Sequence, residues 1–205
     1  MATFVSEKPK MIRMKRNVLT LFICLLGLCA SAQNKLNLTG ITSLTNFGID
    51  YTLAKVLGGK EGAHQYWATY ADINELFIEK PKMYDIGKRL GIPIDVVSLE
   101  AVNQANKKIN PNDIKTEETQ YMPTEEQIAE AVKKLPILSQ EEKYGIVMFC
   151  LFMNNQKDMA TYQFVIFNTK TREIIEQWTN SGNAMGLSLK SYWGYSVLSA
   201  LKKIK

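Results

Sequence analysis

The most regular pattern in the chain is a block of apolar runs and short polar breaks over residues 144–179. Ile146-Val-Met-Phe-Cys-Leu-Phe-Met153 is eight apolar residues with no polar face, the pattern of a strand covered on both sides. Asn154-Asn-Gln-Lys-Asp158 turns the chain into Tyr162–Phe167, and Asn168-Thr-Lys-Thr171 turns it again into Glu173–Trp178. Connections this short join antiparallel neighbours, so three consecutive strands are expected, the first inside a sheet.

Upstream, Phe47 to Leu57 reads as a strand ending at Gly58-Gly59. Ala63, Tyr66, Trp67, Tyr70, Ile73 and Phe77 then recur at three- and four-residue spacing, a helical stripe that Pro81 interrupts. A shorter helix from Met83 to Leu90 carries Lys88 and Arg89 in its last turn, with Gly91 and Pro93 beyond as stop signals. Ile94 to Ser98 is a short strand, Leu99 to Ile109 a helix ended by Asn110-Pro-Asn-Asp113, and Ile114 to Met122 a polar connector. Thr124-Glu-Glu-Gln127 is a capping box opening a helix whose buried face is Ile128, Ala131, Val132 and Leu135, stopped by Pro136. After the three strands, Asn180-Ser-Gly-Asn-Ala-Met-Gly186 reads as a loop and Ser188 to Lys205 as a last helix, with Trp193, Val197, Leu201 and Ile204 on one side. The order predicts an α/β (α+β) fold, a single domain over residues 47–205. Its mixed sheet ends in an antiparallel three-strand meander, with helices packed on the sheet.

The first 32 residues belong to a different class of sequence. Met14-Lys-Arg-Asn17 is a basic segment, Val18 to Leu28 an apolar one and Ala30-Ser31-Ala32 a small-x-small cleavage site, the three parts of a signal peptide. The mature chain is expected to begin at Gln33, with residues 33–46 a flexible lead-in. Residues 1–13 precede better starts at Met11 or Met14. The apolar run is shorter than the ~20 residues that span a bilayer, so no stable transmembrane span is expected after cleavage. Leu26-Gly27-Leu28-Cys29 has lipobox spacing, but Leu28 stands where a small residue is needed, and cleavage after Ala32 is preferred to a lipid on Cys29. Asn37-Leu38-Thr39 is a glycosylation triplet of a kind common by chance.

Cleavage changes the charge. The whole chain has 25 basic and 20 acidic residues, and residues 1–32 hold five of the former and one of the latter, which leaves 20 and 19. A mature chain so near neutrality offers no basic patch for nucleic acid. Cys24 and Cys29 leave with the segment, and Cys150 alone cannot form an internal disulfide; it reads as a small core residue.

Catalytic signatures are sparse. His64 is the one histidine, which leaves no metal-ligand set and no nucleophile-base-acid triad, and no Gly-x-Ser-x-Gly elbow occurs. Gly58-Gly-Lys-Glu-Gly62 lacks P-loop spacing and is expected to be a turn. Asp72, Glu75 and Glu79 share one helical face, and Glu125 with Glu126 begins another helix. Paired carboxylates there are the basis of an alternative reading, an envelope hydrolase. No cofactor and no metal site are expected. The stretch with a binding character runs from Asn180 to Tyr195, where Asn183, Tyr192, Trp193 and Tyr195 could stack on and hydrogen-bond a sugar ring or peptide. Against this, Tyr192 and Trp193 could anchor the last helix to the sheet, which is the preferred role for those two.

The leader ending Ala-Ser-Ala-Gln, the stretch Asp72-Ile-Asn-Glu-Leu-Phe-Ile-Glu-Lys-Pro-Lys-Met-Tyr-Asp85, Phe167 to Ile175 and Lys190-Ser-Tyr-Trp193 together resemble exported α/β proteins of Gram-negative bacteria to which no activity is assigned. The order of elements is also loosely similar to the amino-terminal domain of TolB-type periplasmic proteins and to CsgG-type curli-secretion lipoproteins. The latter carry an Asp-x-x-Thr-Gly turn in a late hairpin; here Asn168-Thr-Lys-Thr171-Arg172 lacks that Asp and Gly. These resemblances imply a protein of the periplasm or outer membrane, or a secreted one. Such a protein would act as a non-enzymatic binding or assembly module for a protein or glycan of the envelope.

Overall fold

The structure is a computed structural model that describes residues 36, 38–138 and 143–204. The leader, Cys24, Cys29 and Asn37 lie outside the described residues. Among the described residues seven strands and five α-helices follow one another as β1 (Leu44–Asp50), β2 (Lys55–Leu57), α1 (Ala63–Glu79), α2 (Ile86–Leu90), β3 (Ile94–Val97), α3 (Glu100–Lys107), β4 (Lys115–Thr116), α4 (Glu125–Lys134), β5 (Tyr144–Asn154), β6 (Met159–Asn168), β7 (Ile174–Asn183) and α5 (Leu189–Leu201). All seven strands belong to one sheet.

β5 is its spine. One edge pairs antiparallel with β6 along its whole length. The other edge is shared end to end by two parallel strands, β1 opposite Gly145–Phe149 and β2 opposite Phe152–Asn154. β3 flanks β1 and β4 flanks β2, both parallel, while β7 closes the opposite side antiparallel to β6. The sheet is thus mixed but mostly parallel, and antiparallel pairing is confined to the β5–β6 and β6–β7 ladders.

Both faces are covered, which is why β5 is apolar without alternation. Ile146, Met148 and Cys150 point into one core with Tyr162, Phe164 and Ile166 of β6, beneath α1 and α5. Val147, Phe149 and Leu151 point into a second core with Ala101 and Val102 of α3 and Ile128 and Val132 of α4. A bulge between Cys150 and Phe152 shifts the register and returns Met153 to the first core. Cys150 is fully buried, and burial pushes its thiol pKa far up. That leaves it a packing residue rather than a nucleophile.

Four elements differ from the sequence expectation, one of them the polar connector predicted over 114–122, in which Lys115–Thr116 forms β4 beside β2. The strand predicted over 47–57 is two strands, because the side chain of Asp50 turns the chain at Thr52 and the Ala54 amide closes a turn on the Tyr51 carbonyl at 2.9 Å. The start of the body lies earlier than Phe47, since Leu44 in the predicted lead-in is 1% exposed and pairs with Ile94. The predicted loop 180–186 begins as strand: Asn180 pairs with Tyr162 and Gly182 with Ala160. Gly182 is what permits this, because a Cβ there would meet the Ser196 carbonyl oxygen of α5 at 1.8 Å. The helix start at Thr124 and the stop at Gly91 agree with the sequence reading, while the helix read from Met83 begins only at Ile86, capped by Asp85. Thr124 accepts from the Gln127 amide at 3.3 Å while the Gln127 side chain accepts from the Thr124 amide at 2.8 Å. Gly91 takes the left-handed conformation, φ 71°, after α2.

Candidate functional site

The feature that shapes the site is a bulge in β1. Its register against β5 shifts between Asn46 and Ile49, and Gly48 sits in the shift at φ 80°. Strict alternation from Phe47, which faces the second core, would turn Asp50 into the first core among tyrosines. The extra residue reverses the parity, so Ile49 faces the first core and Asp50 lies on the face of α3 and α4. Two buried asparagines satisfy the backbone that the bulge frees. Asn74 of α1 accepts from the Ile49 amide at 2.7 Å and donates to its carbonyl at 2.9 Å. Asn106 of α3 accepts from the Tyr51 amide at 2.7 Å and donates to the Ile49 carbonyl at 3.0 Å.

Beyond Asp50 the chain leaves the sheet until Lys55, and the notch between β1 and β2 opens into a cleft of about 650 Å³ between the end of α3 and the side of α4. Leu53, Ala105, Ala131, Leu135 and Pro136 give it apolar walls, and Lys108, Glu126, Glu130 and Lys134 form its rim. The cleft lies at the carboxyl end of a parallel strand, where open α/β sheets place their ligands.

Asp50 is the chemically distinctive residue here. It is 2% exposed, and its Oδ1 accepts from the Thr52 amide at 2.7 Å and the Thr52 hydroxyl at 2.5 Å. Oδ2 accepts no hydrogen bond among the described residues, and no described cation pairs with the carboxylate. Burial raises its pKa to about 6, against the downward pull of the two Thr52 hydrogen bonds. Around it, Glu126 is held below the usual carboxylate range by its own amide and the Thr124 hydroxyl, and Glu130 is paired with Lys134 at 3.3 Å.

The residues singled out in the sequence lie elsewhere. Asn183 ends β7, exposed, its amide donating to Ser199 Oγ at 3.1 Å. Tyr192 is half-buried in the first turn of α5; its hydroxyl donates to the Asp158 carboxylate, and burial, followed by that carboxylate, raises its pKa. Trp193 meets Tyr192 edge-on at 4.9 Å and is 1% exposed, so its ring is spent on packing α5 against the sheet rather than presented to solvent. Tyr195 is half-buried against the same core. None of the four lines the cleft.

Of the carboxylates of the hydrolase alternative only Glu126 reaches the cleft, on its exposed rim; Asp72, Glu75, Glu79 and Glu125 do not line it. Asp72 is exposed, and both oxygens of Glu79 lie 2.9 Å from Lys190 Nζ, tying α1 to α5. The glycine-rich turn after β2 presents carbonyl groups rather than amides. Lys115 donates to Gly58, and also to Gly59 and Glu61 at 3.4 Å each, while lying 5.0 Å from the centre of the Tyr66 ring. That polarity is opposite to a phosphate cradle. Among the described residues no group of three or more His, Cys, Asp or Glu is placed to hold a metal ion. No helix among them is long and apolar enough to cross a membrane.

No protein-family model matches the chain, and no curated protein matches its sequence. Among solved structures it is similar to the LpoB C-terminal domain from Salmonella enterica, with 13% identity, 71% of this chain and 87% of that one covered, and a TM-score of 0.33. The LpoB C-terminal domain from Escherichia coli gives 14% identity, 69% and 84% coverage, and a TM-score of 0.30. Both are weak likenesses in overall course, below the level at which a shared fold is established, and they do not bear on what the cleft holds.

Proposed function

We propose that the chain is an exported, non-enzymatic binding module of the cell envelope, cleaved after Ala32, which holds a protein or glycan partner at the cleft between α3 and α4. One observation carries the reading: an apolar-walled cleft at the end of a parallel strand, lined by the buried residue Asp50, whose Oδ2 has no partner among the described residues. A buried charge in that state is costly, and a ligand group that pairs with it recovers the loss. Turnover is disfavoured because acid–base chemistry on a glycosidic or peptide bond needs a second converging group. Beside Asp50 the cleft offers exposed charged rim residues, two of them already paired with each other.

Crosslinking in the native envelope, followed by mass spectrometry of the captured species, tests both halves. The expected result is a partner joined to peptides from 100–108 or 125–136, and a mature chain starting at Gln33. Chain recovered with residues 14–32 still attached would contradict the processing, and crosslinks confined to the α1–α5 side would contradict the site.

A further inference from the structure

Resting on that reading, we infer that the cleft is built for a positively charged side chain, a lysine or arginine presented by a partner protein. Its methylene stem would lie along Leu53, Ala105, Ala131 and Leu135, and its head against Asp50 Oδ2.

Four observations converge on this. The acceptor is in place and unshared: Asp50 lines the cleft, Thr52 occupies its Oδ1, and its Oδ2 has no hydrogen-bond partner among the described residues. The charged rim is net negative once Glu130 and Lys134 are taken as a pair, since Asp50 and Glu126 then face Lys108 alone, and a net negative site disfavours anions. α3 also ends at the rim with its carbonyl end, the negative pole of its dipole. Finally, the walls are aliphatic. Among the described residues no aromatic ring lines the cleft, so a sugar would lack the stacking platform that glycan sites use. A long amphipathic side chain has the required form, an apolar stem with a charged tip. The same chemistry on a free small amine would lack the flanking backbone and neighbours to cover the rim.

The test is protein-observed NMR on the chain from Gln33, titrated with the peptide acetyl-Leu-Lys-Leu-amide. The controls are acetyl-Leu-norleucine-Leu-amide, which removes the charge, and n-butylammonium, which keeps the side chain without the backbone. Shifts are expected at Thr52, Leu53, Ala105 and Ala131, with affinity about tenfold or more weaker for the norleucine peptide and for Asp50→Asn. Lys108→Glu changes an exposed position and leaves the core untouched; it should tighten the lysine peptide several-fold at low salt, less so at high salt. Equal binding of the lysine and norleucine peptides, or no response to Lys108→Glu, overturns the charge recognition while leaving the cleft as a binding site. Butylammonium binding as tightly as the peptide overturns the protein source. Absence of cleft shifts with any probe, alongside envelope crosslinks that do map to the cleft, also sinks this inference and leaves the module reading standing.

Discussion

Asp50 is where local geometry and thermodynamics are most tightly linked. An acid whose pKa is raised by folding, here to about 6 from roughly 3.9 in an unfolded chain, holds a proton in the native state that the unfolded state releases. Its contribution to stability is therefore greatest below about pH 4, falls as pH rises through 6, and is level above that, a loss on the order of 2 to 3 kcal/mol. Asp50→Asn keeps an acceptor for the Thr52 amide and cannot ionise. Urea denaturation should show the variant gaining on the natural chain between pH 4 and pH 7, and a difference that is the same at both pH values would refute the burial argument. Gly48 acts one step earlier. Alanine there would take an unfavourable φ of 80° and place its Cβ 2.6 Å from a Leu99 methyl and 2.8 Å from Asn74 Oδ1. Gly48→Ala should cost about 2 to 4 kcal/mol, measured by the same denaturation, and should shift the amide resonances of Ile49 and Tyr51 that Asn74 and Asn106 hold.

At the scale of elements, β7 is a ten-residue edge strand whose outer side is partly guarded. The Glu176 carboxylate accepts from the Gln177 amide at 3.1 Å, Lys203 donates to the Ser181 carbonyl at 2.6 Å, and Ser199 Oγ accepts from the Asn183 amide. Such charged caps discourage strand addition by another copy. Replacing Glu176 and Lys203 together by alanine should produce concentration-dependent association in sedimentation velocity, with little loss of thermal stability; a monomer at all concentrations would show that the caps do not matter. The same strand marks how far sequence alone reaches. Helix starts were legible where both partners of the signal sit within four residues, as at Thr124 and Gln127. The apolar run of β5 was legible because burial on both faces leaves no polar position. Asn180 to Asn183 was not, since its strand character comes from Tyr162 and Ala160 across the ladder and from α5 behind Gly182. Lys115-Thr116 is polar and short, and becomes a strand only beside Val56 and Leu57. The cleft was the least legible feature, because it needs a bulge at Gly48 and walls from helices more than fifty residues further on. The one local hint was an acid directly after Ile49 at the end of β1.

At the scale of the molecule, the two sheet faces have different roles. α1 and α5 close one face over a core that includes Tyr51 and Tyr70, stacked at 3.9 Å, Trp193 and Cys150. α3 and α4 cover the other only in part, and the uncovered notch is where β1 gives way to β2. That division explains why the aromatic residues nominated from sequence hold α5 in place while the carboxylate that faces a cavity comes from the opposite side. The measurement that tests the binding role most directly is site-specific photocrosslinking in living cells. A photoreactive phenylalanine analogue at Ala131, on the cleft wall, is compared with one at Thr179, exposed on β7. Capture of one defined partner from position 131, lost when Asp50 is replaced by asparagine and not reproduced from 179, is the predicted outcome. Equal capture of the same species from both positions, or capture from 131 that does not depend on Asp50, would contradict it.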